Sequence, residues 1–203
     1  MAGYGLVSLT SVNVARGTTL DSPGANADLM ATVATDKLAV GGSHFCSLVA
    51  RWTDANNMYL ARVEFTTTQT VLLTLRKRVA GTDTSLTSTY TTPYTHAAGR
   101  RFWIRFEVSG TTLRARVWPD THPDPGAWQL TVTDTDLSAD AEIGTRTSLS
   151  SANTNTLPVT ASWSDFQVVS PQRMTVTRST NGIVKSHASG VSVSLAQPAI
   201  AAL

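Results

Sequence analysis

The carboxylates are the first residues to consider for catalysis, because enzymes that cleave glycans need two nearby carboxyl groups. The chain has only three glutamates, at Glu64, Glu107 and Glu142. Neither Glu64 nor Glu107 has a second acid two or four residues away, so neither would share a strand face with another carboxylate. Glu142 follows Asp140 by two residues, but both lie in a polar stretch typical of a loop before Ile143. The sequence therefore predicts that the protein is not an enzyme.

Tryptophans and arginines are the candidate ligand-binding residues. Trp118 and Trp128 flank a proline-rich loop, where their rings could form a stacking platform for a sugar or could close one end of the core. Five arginines fall on the non-core parity of their strands and would line one basic sheet face: Arg76, Arg78, Arg105, Arg114 and Arg116. Such a face could meet an anionic cell-wall polymer or a neighbouring subunit, or could simply be solvated. The residues selected as ligand-binding are Trp118, Trp128, Arg105, Arg114 and Arg116.

Aspartates supply the candidate cation ligands. Asp134 and Asp136 would share a strand face, and Asp120 and Asp124 lie in the loop Pro119–Pro125. Oxygen-rich groups of this kind can bind calcium, although no fixed ligand spacing is present. We expect no metal site and no cofactor, with calcium left open.

The histidines and the cysteine do not suggest a reactive site. The single cysteine, Cys46, lies in the apolar run Phe45–Ala50 and is expected to be a buried thiol. The four histidines are too dispersed to suggest zinc: His44, His96, His122 and His187.

Composition and charge exclude further classes of function. The chain has 203 residues, of which 41% are hydrophobic and 15% charged, and its net charge is +2. So small a positive excess argues against a nucleic-acid partner. No segment approaches the roughly 20 apolar residues of a membrane span, and the N-terminus lacks the pattern of a secretion signal. We therefore expect a protein made in the cytoplasm that does not enter a membrane.

The elements that would position these residues are short strands. Phe102 to Val108 alternate between apolar and polar residues, and Ser109–Thr111 turns the chain into a second alternating run, Leu113–Trp118, with Arg114 and Arg116 facing outwards. Further strands are predicted over 47–52, 58–65, 70–79, 85–90, 128–132, 143–148 and 159–169. Repeated strands with turn signals predict an all-β antiparallel sandwich over 1–170.

The C-terminal segment, 171–203, is expected to be a separate assembly element. Asn181–Gly182 is a strong hairpin signal because both positions of a type I′ turn need positive φ, and Pro198–Leu203 is an apolar tail. A monomer gains little from exposing such a tail, so we expect a short hairpin extension that oligomerises the chain. The residues selected for assembly are Arg178, Asn181, Gly182, Lys185, His187, Gly190, Pro198 and Leu203.

Two parts of the sequence resemble known families. From about Leu29 to Val169 the order of segments resembles the concanavalin A-like (laminin-G-like) jelly roll of bacterial and phage proteins; the segments are 48–52, 57–62, 71–76, 99–105, 113–118, 125–128, 143–144 and 163–166. Arg178–His187, with Gly190 and Pro198, is similar to the C-terminal end of minor tail proteins of actinobacterial phages. The family's glucanase pattern Glu-x-Asp-x-Glu is missing.

The resemblance implies a virion tail component made in the host cytoplasm. Its function would be structural or adhesive, presenting a jelly roll for contact with another subunit or with a host-surface glycan. Its partners would be other tail or virion proteins and further copies of itself. The alternatives are a carbohydrate-binding module that acts alone and, less favoured, a glycan hydrolase or lyase.

Overall fold

The computed structural model describes residues 5–22, 24–139 and 141–170, and over these residues the chain is built from strands without a helix. The strands are β1 (Gly5–Leu9), β2 (Arg16–Leu20), β3 (Ala27–Thr35), β4 (His44–Asp54), β5 (Asn57–Phe65), β6 (Thr70–Val79), β7 (Thr82–Ser85), β8 (Tyr90–Thr95), β9 (Phe102–Ser109), β10 (Thr112–Pro119), β11 (Leu130–Thr133), β12 (Glu142–Leu149) and β13 (Val159–Ser170). The predicted all-β class is confirmed. The predicted hairpin extension and assembly residues, from 171 onwards, lie outside the described residues.

The strands form two antiparallel sheets. Sheet 1 has the order β1-β13-β3-β9-β10-β11, and sheet 2 has the order β2-β12-β4-β5-β6-β7, with β8 also paired to β6. Sequence neighbours β1 and β2 therefore lie in different sheets, as do β3 and β4. Such crossings are how a sandwich encloses one core between two layers.

The core lies between the inner faces of the two sheets. Phe102, Ile104 and Phe106 of β9 are fully buried, and they alternate with residues that face outwards. Sheet 2 contributes alternate residues such as Leu73 and Leu75 of β6. This alternation is the signal that correctly predicted the β9–β10 hairpin.

Two parts of the strand prediction need correction. The predicted strand 85–90 is absent, and β7 ends at Ser85 while β8 begins at Tyr90. Side chains compete for the backbone here, since the Ser85 hydroxyl donates to Thr87 O and the Thr87 hydroxyl accepts from Leu75 N. Strands β1 to β3 were not predicted. In β3 almost every residue is buried on both faces, which removes the alternation that reveals a strand.

Arg51 joins three loops at one end of the sandwich. Its guanidinium donates to the carbonyl oxygens of Ala25 at 2.9 Å, Leu137 at 2.6 Å and Gly110 at 2.6 Å. These acceptors belong to the β2–β3 connection, the β11–β12 connection and the β9–β10 turn. Arg51 is only 5% exposed, so its charge acts mainly on these three carbonyl groups.

Cys46 is a free, buried cysteine near the start of β4, as expected from its apolar run. Its residue surface is fully buried. Burial raises the pKa of the thiol to about 12, which keeps it protonated and unreactive in the folded protein.

Two histidines and a threonine form a buried polar cluster at the end of the sandwich opposite to Arg51. His96 Nε2 lies 3.1 Å from Thr35 Oγ1, and His44 Nε2 lies 3.0 Å from Asn155 Oδ1. The His96 ring stacks on Phe65 with 4.1 Å between ring centres. Burial, followed by the nearby His44 and Arg100, lowers the pKa of His96 to about 4. Both histidines are thus neutral in the folded state at pH 7.

This cluster is expected to make the sandwich sensitive to acid. The unfolded chain binds a proton at His96 below its ordinary pKa of 6.5, whereas the folded chain does so only near pH 4. The contribution of neutral His96 to the free energy of unfolding is therefore fully present above pH 6.5 and is lost as the pH falls towards 4. The loss is about 2 kcal/mol between pH 7 and pH 5. Urea unfolding at the two pH values should show this loss, and His96→Phe should reduce it. His122→Phe, which changes an exposed histidine, is the control, and equal losses in both variants would contradict the assignment.

Candidate functional site

The outer face of sheet 1 brings together four of the five selected ligand-binding residues. The register of β9 and β10 places Arg105 opposite Arg116 and Trp103 opposite Trp118. Trp128 lies above this pair of strands, with its ring 4.6 Å from the Arg116 guanidinium and 5.6 Å from that of Arg105. We call Trp103, Arg105, Arg116, Trp118 and Trp128 the tryptophan–arginine cluster. Arg114, the fifth selected residue, lies two residues before Arg116 in β10, opposite Glu107 of β9.

The arginines of this cluster are held by carboxylates. Both oxygens of Asp28 accept from Arg105, at 2.9 and 2.7 Å, and Arg116 donates to Asp124 at 2.7 Å. Arg116 also donates to the carbonyl oxygen of Gly126. The loop between β10 and β11 is thereby tied down over the sheet. The expectation that Arg116 faces solvent is wrong: it is 5% exposed because this loop covers it.

The two tryptophans differ in what they can offer to a ligand. Trp118 is 3% exposed, and its ring stacks on Trp103 with 6.2 Å between centres. Trp128 is half-buried, because one side of its ring lies over the arginines. Of the two selected tryptophans, Trp128 offers accessible aromatic surface, whereas Trp118 contributes mainly packing.

The expected single basic face is wrong. Arg76 and Arg78 belong to β6 in sheet 2, whereas Arg105, Arg114 and Arg116 belong to sheet 1. Parity along a strand identifies the face of that strand, but it does not identify the sheet to which the strand belongs. The arginines therefore divide between the two outer faces of the sandwich.

An acid pair arises across strands of sheet 1. Glu107 lies directly opposite Asp28, a proximity that residue spacing along one strand cannot reveal. Asp28 is 6% exposed and gives both of its oxygens to Arg105, so it is not available as a free base. Glu64 lies instead on sheet 2, between Phe45 and Leu72.

Within the described residues, three of the four aspartates considered for calcium are engaged by cations of the protein, and Asp120 is the exception. Lys77 Nζ lies 2.6 Å from Asp134 Oδ2 and 2.5 Å from Asp136 Oδ2, and the Tyr59 hydroxyl donates to Asp134 at 2.6 Å. Burial, together with that bond, raises the pKa of Tyr59 to about 12. Asp124 pairs with Arg116. In the described part of the chain, no three histidine, cysteine or acidic side chains come together as a metal site.

Sheet 2 carries a second group of arginines on its outer face. Arg62 of β5 and Arg146 of β12 join Arg76 and Arg78 of β6, and we call these four residues the arginine face. Arg62 and Arg146 were not selected from the sequence. In β5 the run Met58–Ala61 is buried on both sides, so the outward parity of Arg62 was hidden. For Arg146 a signal was present, since it lies between the buried Thr145 and Thr147 of β12 and so has outward parity.

The side chains of Arg62 and Arg146 have no hydrogen-bond or ion-pair partner among the described residues, and the Arg62 Nε atom is buried. Burial lowers the pKa of both guanidinium groups, and neighbouring arginines lower it further. The Arg62 guanidinium lies 4.6 Å from the centre of the Phe45 ring. By contrast, Arg76 donates to Asp83 and Arg78 donates to the carbonyl oxygen of Ala55.

No helix in the described residues has the length and hydropathy needed to cross a bilayer. No protein-family model matches the sequence, and no curated protein matches it significantly.

Similar folds occur among solved structures. The xylan β-1,4-xylosidase of Bacillus halodurans C-125 has a TM-score of 0.57 at 11% identity, over 80% of this chain and 32% of that chain. The CBM2 module of the evolved Dit of Lactobacillus casei BL23 phage J-1 has a TM-score of 0.52 at 10% identity, over 83% and 81%. The Bacillus licheniformis β-glucanase has a TM-score of 0.50 at 14% identity, over 79% and 77%. This chain thus spans about a third of the xylosidase, and the likeness establishes a jelly-roll β-sandwich of the concanavalin A-like type.

Proposed function

We propose that the protein is a non-enzymatic structural and adhesion component of a phage tail. Its sandwich presents a binding surface to a host glycan or a neighbouring subunit, and the segment 171–203 assembles the chain with further copies and with other virion proteins. The resemblance of Arg178–His187 to minor tail proteins supports the location in the tail. The fold shared with a phage Dit module supports a carbohydrate ligand.

The observation that carries this proposal is the contrast between paired aspartates and unpaired arginines among the described residues. Asp28, Asp124 and Asp134 are each occupied by an arginine or lysine. Arg62 and Arg146 have no such partner. A surface with unpaired cations and engaged carboxylates favours binding over acid–base hydrolysis, which needs a free carboxylate pair.

A carbohydrate-binding module that acts alone is the second candidate. The half-exposed Trp128 ring supports it, since aromatic rings stack on sugars and here the ring is held in place by Arg116. A glycan hydrolase is the third candidate, with Glu107 opposite Asp28 as its acids. The bidentate contact of Asp28 with Arg105 disfavours it.

Comparison of the full chain with a chain ending at Ser170 tests the proposal. We expect the full chain to be an oligomer that sediments with actinobacterial cell envelopes, and the shortened chain to be a monomer that binds more weakly through loss of multivalency. No soluble sugar should be released in either case. Release of sugar that Glu107→Gln abolishes would contradict the non-enzymatic role. Two monomers of equal affinity would favour the module acting alone.

A further inference from the structure

The outer face of sheet 2 holds a row of polar side chains that runs across the strands. The register places Arg146 of β12 opposite Ser47 of β4, Ser47 opposite Arg62 of β5, and Arg62 opposite Thr74 of β6. Neighbouring strands are about 4.8 Å apart, so the Cα atoms of Arg146 and Arg62 are separated by about 10 Å. Two arginine side chains can reach a common ligand across this distance.

The floor of this face is closed and apolar. Val49, Met58 and Leu60 are fully buried although they point away from the main core, and Trp52 packs against them. Trp52 also lies across Gly17, where an added Cβ would come within 2.5 Å of its ring. The arginine stems and the Trp52 ring cover this floor, so the guanidinium groups are partly desolvated.

This arrangement is unfavourable for the free protein. Arg62 and Arg146 carry desolvated charges without a counter-ion, and the adjacent Arg76 and Arg78 increase the repulsion. The nearby acids Asp83 and Glu64 only offset this repulsion in part, since Asp83 already accepts from Arg76. An unpaired desolvated charge costs stability that a bound anion would restore.

We propose that Arg62 and Arg146 form a binding site for the carboxylate or phosphate groups of an anionic glycan, a ligand class that rests on the proposed adhesion function. Each guanidinium presents a planar fork of donors that matches an oxyanion. Ser47 and Thr74 lie in the same row but are buried, at 2% and 5% exposure, so the accessible polar groups of the site are the two guanidinium groups.

A glycan fits this face better than a nucleic acid. The whole chain has a net charge of only +2, which gives little long-range attraction to a polyanion of high charge density. The acids Glu64 and Asp83 share the face with the arginines and would repel closely spaced phosphates. The half-buried rings of Phe45 and Trp52 provide apolar surface beside the cations, as sugar rings require.

Binding of defined polymers to the full chain tests the site. Phosphomannan and polygalacturonate distinguish phosphate from carboxylate, dextran is the neutral polymer, and double-stranded DNA is the competing polyanion. We expect binding to one of the two anionic glycans, weakened by salt. Arg62→Met and Arg146→Met should each weaken binding about tenfold or more, because hydrogen bonds between charged groups are lost.

Arg100→Met is the matched control, since it removes the same charge from a side chain that donates to Thr95 O at 2.8 Å, away from the arginine face. It should leave binding unchanged. Without ligand, Arg62→Met should melt at the same temperature or about 2 °C higher, because an unpaired and partly desolvated charge has been replaced by an apolar side chain. A purely structural arginine would instead show a lower melting temperature.

The site would be overturned by no binding to either anionic glycan, by equal loss in Arg62→Met and Arg100→Met, or by tighter binding to DNA than to both glycans. Binding to dextran alone would overturn the site but leave a carbohydrate-binding function in place. If Arg62→Met and Arg146→Met sedimented with envelopes as the unchanged protein does, the site would also be overturned and the carbohydrate-binding function would stay in place. Release of sugar would contradict the proposed function itself, whichever residues bind.

Discussion

Replacement of Arg51 with methionine is expected to lower the free energy of unfolding by about 4 kcal/mol. The three carbonyl groups that Arg51 binds lie in three separate connections, at Ala25, Gly110 and Leu137. Hydrogen bonds from a charged donor contribute about 1.5 to 3 kcal/mol each, and part of this is recovered when water reaches the exposed carbonyls. Methionine keeps the apolar stem, so the loss reports the guanidinium alone.

Thermal unfolding and limited proteolysis measure this effect. A loss of 4 kcal/mol corresponds to a decrease of about 10 °C in melting temperature for a domain of this size. Cleavage should become faster in all three connections together. Arg114→Met is the matched control, because Arg114 has no hydrogen bond or ion pair within the described part of the chain. A change below 1 kcal/mol, or faster cleavage of one connection only, would show that Arg51 does not join the three.

Replacement of Gly144 with alanine is expected to detach β2 from sheet 2, with a loss of about 3 kcal/mol. A Cβ on Gly144 would overlap the carbonyl oxygen of Thr18 and lie 2.9 Å from Thr19 Cα. Both atoms belong to the backbone of β2, which pairs with β12 at this point, so no side-chain rotation can relieve the overlap. The strand itself must move.

Urea unfolding gives the loss of stability, and amide hydrogen exchange over Arg16–Leu20 locates it. Exchange should accelerate in β2 and remain slow in the centre of sheet 2. Gly5→Ala is the control, because a Cβ there meets only the Trp163 carbonyl oxygen at an ordinary 3.8 Å. If Gly144→Ala were as stable as Gly5→Ala, the close approach of β2 to β12 would be wrong.

The sequence allowed prediction of the strands that bury one face and expose the other. Phe102 to Val108 is the clearest case, since the residues between the core positions are polar or aromatic. Strands β3 and β5 carry buried residues on both faces, so alternation is lost and Arg62 could not be assigned to a surface. Only the pairing of strands across the sheet reveals that Asp28 faces Glu107, or that Arg76 lies on a different sheet from Arg105.

The candidate site was predictable to the same extent. Trp118, Trp128, Arg105 and Arg116 were selected as a group, and the structure places them together. Their ion pairs with Asp28 and Asp124 depend on β3 and on the path of a loop, neither of which leaves a local signal in the sequence. Burial of Arg116 follows from that loop and not from the parity of β10.

The buried thiol of Cys46 allows the rate at which the folded core opens to be measured by chemical labelling. This is the single cysteine of the chain, and its side chain lies in the core between the two sheets. A thiol reagent can therefore modify the protein only when the core around β4 opens. In native buffer the labelling rate then counts the rare opening events, without denaturant. The same cysteine can therefore distinguish variants that loosen the loops at Arg51 from those that open the sheets themselves.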